Sequence, residues 1–421
     1  MSQQRELEQP ALRRRLGLFD SVLIGLGSMI GAGVFSAFAP AARAAGGAIL
    51  ISLTIAAAVA WCNATSSAHL AARYPVSGGT YVYGRERLGP FWGYLAGWSF
   101  VVGKTASCAA MALTIGFYAW PQHARAVALT AVVVLTGVNY IGVHRSAQLN
   151  KVIVAFVVLT LAVVVHAAVF SHSPQGTKVP VFRFEGSTWY GIAQGAGLLF
   201  FAFAGYARIA TLGEEVRQPE RTIPFAVRIA LWTTFIIYAE VCVAALYQLG
   251  ASGLAHSATP LRSVVESSGH HSLVPLVQIG AAIAATGSLL ALILAVSRTT
   301  LAMSRDHHLP TQLSAVHERF GVPHRAELAV GAIVFALVAV TDLRGAIGFS
   351  SFCVLTYYAI ANASARTLRT DENPPPRWLP PLGFIGCVGL ALTLPVSSVV
   401  SGAIVVATGA GLYVIRVRRA A

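Results

Sequence analysis

The chain has 421 residues, of which only 11% are charged (30 Lys+Arg, 16 Asp+Glu) and 56% hydrophobic, with a mean hydropathy of +0.66. A soluble domain carries about 25% charge, so this chain cannot cover a water-facing surface, and lipid must be the solvent for most of it. The net charge of +14 does not gather into a basic stripe with interleaved aromatics, which excludes nucleic acid as a partner.

Residues 1–18 are polar and basic, with Arg5, Arg13, Arg14 and Arg15, and the apolar run that follows is too long for a signal-peptide core. The N-terminus is therefore expected to stay in the cytoplasm. Runs long enough to cross the hydrocarbon as helices then repeat along the chain. They fall near 19–44, 46–70, 91–120, 124–143, 147–170, 189–213, 224–250, 272–303, 326–341, 345–366, 379–396 and 398–416, twelve in all. The segments between them reach about twenty residues at most (171–188 and 304–325), too short to bury a core of their own. Five cysteines, Cys62, Cys108, Cys242, Cys353 and Cys387, sit in apolar runs without CxxC spacing and read as small hydrophobes.

Orientation follows from Lys and Arg in alternate loops. Loops on the N-terminal side hold 21, the opposite loops 6, and Lys104, Arg208 and Arg298 lie within spans. An odd number of helices would scramble that asymmetry, so both termini are predicted on the cytoplasmic side of the cytoplasmic membrane.

The first span reads GLGSMIGAGVF from Gly25. Its glycine spacing does not fit a nucleotide loop, and no strand precedes it. Two readings remain. Small residues four apart, Gly27 and Gly31, suit close helix packing. Alternatively the helix is broken, since each glycine costs about 1 kcal/mol relative to alanine in a helix, and a break frees backbone groups that only a cavity or ligand can satisfy. The sixth span supplies a counterpart in FFAFAGYARIATLGEE, with Gly205 near mid-depth among Phe200, Phe201, Phe203 and Tyr206. Paired interrupted helices at corresponding places in two halves are a pointer to a midplane binding site.

Three motifs, in order and at the right spans, resemble the amino acid–polyamine–organocation (APC) family over essentially the full length. They are GSMIGAGVF (27–35), FFAFAGYARIATLGEEVRQPERTIP (200–224) and SRTTLAMSRDHHLP (297–310), the last followed by Val322-Pro323. The resemblance implies an all-α polytopic membrane protein of about twelve helices. Spans one to five (19–170) and six to ten (189–366) would form a five-plus-five inverted repeat with broken helices 1 and 6. Two further helices (379–416) and a cytoplasmic tail (417–421) would follow. It implies a small-molecule substrate, an α-amino acid or related amine, and needs no cofactor or metal. The substrate carboxylate would meet backbone N–H groups of Ser28, Met29, Ile30, Gly31, Ala32 and Gly33. The α-amino group would meet carbonyls near Ile24 to Gly27 and from Phe200 to Ala204, beside Gly205 and Tyr206. Phe203 would close over the substrate from the outer side.

Some proton-coupled members of that family carry a lysine in the fifth span, whereas here Lys151 stands only at its cytoplasmic entrance. Lys104, about 14 residues and so about 21 Å from the inner end of the third span, lies near the bilayer midplane. Such a lysine needs a partner or must shed its charge. It is either a structural ion pair, with Glu240 as partner, or the group that couples transport to a proton. Glu214, Glu215 and Arg217 at the end of the sixth span, with Arg305 and Asp306 at the end of the eighth, read as inner-gate ion pairs or as a solvated loop face. His307, His308, His317 and His324 match no metal template. The intramembrane ionisable groups lack the constellation an enzyme needs, and no charge ring or filter marks a channel. The expected function is a secondary active transporter, proton-coupled, for a neutral amino acid. An exchanger, an exporter or a non-transporting amino acid sensor would leave the same motifs.

Overall fold

A computed structural model describes residues 16–75, 78–142, 147–171, 187–210 and 216–420. Helices stand at all twelve expected places. Span 1 comprises Leu18–Met29, Ala32–Ser36 and Phe38–Ala45, followed by span 2 (Ile49–Arg73), span 3 (Pro90–Ala119), span 4 (Ala124–Tyr140) and span 5 (Ala147–Val169). Span 6 is Trp189–Phe203, a 3₁₀ turn Ala204–Tyr206, and Ala207–Ala210. Then come span 7 (Pro219–His256), span 8 (Val274–Arg305), span 9 (His324–Val340), span 10 (Leu343–Arg366), span 11 (Leu379–Thr393) and span 12 (Val396–Ala420). Among the described residues nine of these are long and apolar enough to cross a membrane by themselves. Spans 4 and 9, at 17 residues each, and span 11, at 15, are the short ones.

Local chemistry sets several boundaries. Thr188 caps span 6 by accepting the Gly191 N–H at 3.0 Å, and Asp342 caps span 10 by accepting that of Gly345 at 2.7 Å. Gly89, at φ 101, turns the chain into Pro90, the first residue of span 3. Two helices lie outside the expected spans, Thr80–Leu88 before span 3 and Pro260–Ser267 before span 8. Both are short and polar enough to escape a reading based on apolar length.

Packing follows two groups of four. Spans 1, 2, 6 and 7 pack on one another, as do spans 3, 4, 8 and 9. Span 5 contacts spans 1, 7 and 8; span 10 contacts spans 6, 2 and 3. Each contact of span 5 maps onto one of span 10 by an offset of five, with the offset wrapping round. Spans 11 and 12 lean on span 10 from outside. Span 12 turns Val400, Ile404, Leu412 and Ile415 outward, as do Val133, Val152, Ile236 and Ile385 elsewhere. An exposed apolar girdle of that extent belongs in lipid. All five cysteines are buried and free, as small hydrophobes should be.

The arginine-rich loops meet on one face, hereafter the basic face. There Arg85 pairs with Asp306, and Arg73 with Glu372. On the opposite face Arg43 donates to the Ala255 carbonyl and Arg125 to that of Thr341. The loop alternation read from the sequence is thus physical.

Candidate functional site

The first break is a true interruption. Ile30 has φ −79 and ψ 52, and Gly31 has φ −106 and ψ −137. The Gly31 N–H turns back to the Met29 carbonyl at 2.8 Å. Helix restarts at Ala32, so the N–H groups of Ala32, Gly33 and Val34 have no carbonyl within the helix and form the positive end of its dipole. Ser28 donates its hydroxyl to the Ile24 carbonyl at 2.9 Å, which engages one of the acceptors expected for a substrate amine. The second break is milder: Ala204, at φ −65 and ψ 2, tightens the helix into one 3₁₀ turn.

The two breaks touch. A Cβ on Gly205 would sit on the Ser28 carbonyl and 2.7 Å from the Met29 nitrogen, and one on Gly33 would lie 2.6 Å from the Ala202 Cα. Gly27 faces Val154 and Asn150 of span 5, whereas a Cβ on Gly31 would strike the Ser288 hydroxyl of span 8. The glycine cluster therefore serves both readings: Gly31 stands in the break, and Gly33 and Gly205 let spans 1 and 6 meet.

Besides Asn150 and Val154, three side chains from other spans reach this junction. Tyr238 of span 7 places its hydroxyl 2.6 Å from the Met29 carbonyl and 3.2 Å from the Ala202 carbonyl, so one proton serves both broken helices. Ser288 brings a buried hydroxyl without a hydrogen-bond partner among the described residues. Lys104, 8% exposed, donates from Nζ to the Ala204 carbonyl at 3.3 Å. Tyr238 and Ser288 escaped the sequence reading. Each is a single polar group in an apolar run, and its reach across to span 1 has no signal in the chain itself.

Phe203 is fully buried with its ring 5.2 Å from Tyr238; Phe38 meets the same tyrosine edge-on at 6.2 Å, and Phe35 meets Tyr118 at 5.6 Å. Phe200 and Tyr206 are likewise buried, both against Tyr358. Exposure at the junction falls elsewhere, on Ile24, Gly27, Ser28 and Gly205, while Met29, Ile30, Ala32 and Ala204 are closed off.

The expected pairing of Lys104 with Glu240 is not what the structure contains. Glu240 is exposed, and the described ion pairs include neither residue. The reason is helical geometry: Tyr238 faces the junction, and two residues on, Glu240 points about 200° away.

At the basic face Asp306 accepts from Arg85 at 3.0 Å and from the Tyr81 hydroxyl, which also lies 2.9 Å from His308 Nδ1. The Tyr81 hydroxyl is pushed up by burial and then by Asp306; burial pushes His308 down. Arg305 is exposed, and Arg217 joins the N-terminal segment only through its backbone N–H on the Leu16 carbonyl, 3.0 Å away. Glu214 and Glu215 lie outside the described residues. A second cluster centres on Glu372, which accepts from Arg73 at 3.0 Å, from Arg87, and from the Arg369 N–H at 2.9 Å. Of the remaining loop histidines, His317 and His324 pack as rings around Tyr140, and His307 is exposed.

Comparison with known proteins agrees with this geometry. Residues 20–417 match the amino acid permease family. The chain is 63% identical over 405 residues to an uncharacterised transporter of Mycobacterium tuberculosis (strain ATCC 25618 / H37Rv), covering 96% of this chain and 92% of that one. It is 26% identical over 420 residues to the branched-chain amino acid permease BcaP of Bacillus subtilis (92% and 89% covered). It is also 27% identical over 390 residues to a chloroplastic cationic amino acid transporter of Arabidopsis thaliana (86% and 68% covered). With two broken helices meeting in a twelve-span bundle and a family match across nearly all of it, the chain belongs to the amino acid permease family and is a membrane transporter rather than an enzyme.

Proposed function

We propose that this transporter moves a neutral amino acid across the cytoplasmic membrane by alternating access at the paired breaks, coupled to protons through Lys104. The observation that carries it is the junction itself, where span 1 restarts at Ala32 with N–H groups that have no carbonyl within the helix, and where spans 1 and 6 meet at Gly33 and Gly205 beside the Ala204 carbonyl. Those N–H groups can hold a carboxylate and that carbonyl an ammonium. Among the described residues the polar side chains of other spans that reach the junction belong to Lys104, Tyr238, Ser288 and, beside Gly27, Asn150. None is acidic, which disfavours a cationic side chain, since a buried cation needs a partner.

Lys104 already donates to the Ala204 carbonyl. A substrate ammonium arriving there competes with the lysine ammonium, so substrate binding and the lysine proton are linked. Burial among Phe203, Phe38 and Tyr238 on one side, against partial exposure of Ser28 and Gly205 on the other, supports a conformation open toward the basic face. That face is assigned to the cytoplasm, with both termini, by the excess of Lys and Arg. The contacts related by an offset of five spans support 19–170 and 189–366 as the two repeats.

The test is flux of labelled leucine, alanine and arginine into proteoliposomes holding the purified protein. Saturable counterflow of leucine or alanine is expected. Binding without flux would make the protein a sensor, and flux of arginine alone would overturn the neutral-substrate reading.

A further inference from the structure

Glu327 takes no part in the junction, yet it is the most unusual acid among the described residues. It stands in the first turn of span 9, is 0% exposed, and neither carboxyl oxygen has a hydrogen-bond partner among the described residues. Its place in the helix is that of a core residue. Val330, Gly331, Val334 and Val338 continue the same buried stripe at spacings that share one face. One turn along that face, Gly331 packs on Thr136 of span 4, whose hydroxyl is also unpartnered.

Spans 3, 4 and 8 and the turn Thr311–Ser314 pack against span 9. Among the described residues their titratable groups near this end are few. Tyr140 of span 4 and His317, just beyond the turn, face His324 in a cluster of rings with centroids 5.4 to 6.1 Å apart. Tyr94 of span 3 turns to His308. Arg298 of span 8, itself exposed, is the charged group of the adjoining helix that acts on Glu327, and the two form no ion pair among the described residues. An ionised carboxylate with no donor is what such a stripe tolerates least. A proton or a counter-charge are the two remedies.

We infer that Glu327 is a proton-binding site whose carboxyl is protonated in this conformation and, when spans 8 and 9 shift, releases that proton to water at the basic face and pairs with Arg298 instead. The shift rests on the transport reading; the bound proton does not.

Infrared spectroscopy of the purified protein in lipid tests the site without any transport. At neutral pH the wild type should show the C=O stretch of a protonated, weakly hydrogen-bonded carboxylic acid, and Glu327→Gln should lack it. Should Glu327→Gln fail to fold, Glu327→Asp should move the band. Absence of the band in wild type, or its persistence unchanged in the variant, overturns the site. Arg298→Gln should keep the band to higher pH than wild type, and an unaltered titration overturns the pairing. In proteoliposomes, leucine uptake by Glu327→Gln should lose its response to an imposed pH difference. A full response overturns the coupling role, while a wild type that moves no substrate defeats the transport reading and leaves the infrared result standing.

Discussion

Lys104 is held by a carbonyl rather than a carboxylate, and that changes what its removal should do. A buried ion pair broken by mutation would leave an uncompensated charge and a large loss of stability. A lysine on a carbonyl leaves only a neutral acceptor that water or substrate can take. Lys104→Ala is therefore expected to fold and to show measurable leucine counterflow, but not to accumulate leucine when a pH difference is imposed. Its leucine affinity should also be flat with pH where that of the wild type is not. Undiminished proton-driven accumulation would remove Lys104 from coupling. Gly31 gives a second test. Gly31→Val would drive a branched side chain into Ser288 and into the break, so substrate binding should vanish while the protein remains monodisperse in detergent. Normal binding would reduce Gly31 to a packing glycine. The position of Lys104 near mid-membrane was legible in the sequence, because depth follows from counting residues. Its partner was not, because Glu240 and Tyr238 differ only in which way span 7 is turned.

The breaks illustrate the same divide among elements. Span 1 carries three glycines within seven residues at Gly27, Gly31 and Gly33, and its interruption could be read directly from helix propensity. Span 6 has one, Gly205, and its break is correspondingly slight, a single turn of 3₁₀ helix. What holds the two together is a third element. Tyr238 bonds both the end of the first half of span 1 and the last turn before the break in span 6. Tyr238→Phe removes one donor from two buried carbonyls, of which that of Met29 keeps the Gly31 N–H, and about 0.5–1.5 kcal/mol is the usual net worth of such a bond. The variant should melt earlier in detergent and bind leucine more weakly. A variant with both properties unchanged would show that water replaces the hydroxyl. Helix Thr80–Leu88, by contrast, was invisible to apolar length, although it carries Tyr81, Arg85 and Arg87 into both clusters of the basic face.

Across the whole molecule, those clusters join parts of the chain that lie far apart in sequence. Arg85 and Tyr81 tie the helix after span 2 to the end of span 8 through Asp306; Arg73 and Arg87 tie span 2 and that helix to the loop between spans 10 and 11 through Glu372. Helix Thr80–Leu88 packs on span 3, so its pairing with Asp306 stays within the group of spans 3, 4, 8 and 9, whereas Glu372, shared by Arg87 of that helix and Arg73 of span 2, joins the two groups that alternating access would have to move apart. Glu372 allows a clean test because its environment is entirely cationic. The Arg87 guanidinium, then the Arg369 N–H and the Arg73 guanidinium, hold its carboxyl at about 2, against an ordinary 4.5. A carboxylate whose value is lowered by folding contributes stability that is complete above the unfolded value and is lost as pH falls through the folded one. Glu372→Gln should therefore melt below the wild type at neutral pH. The difference should shrink only below pH about 4.5 and disappear near pH 2. Raised ionic strength should also narrow it, since these charges are close to water. Equal melting temperatures for the two proteins at neutral pH and low salt would mean that the cluster forms no part of what holds this conformation.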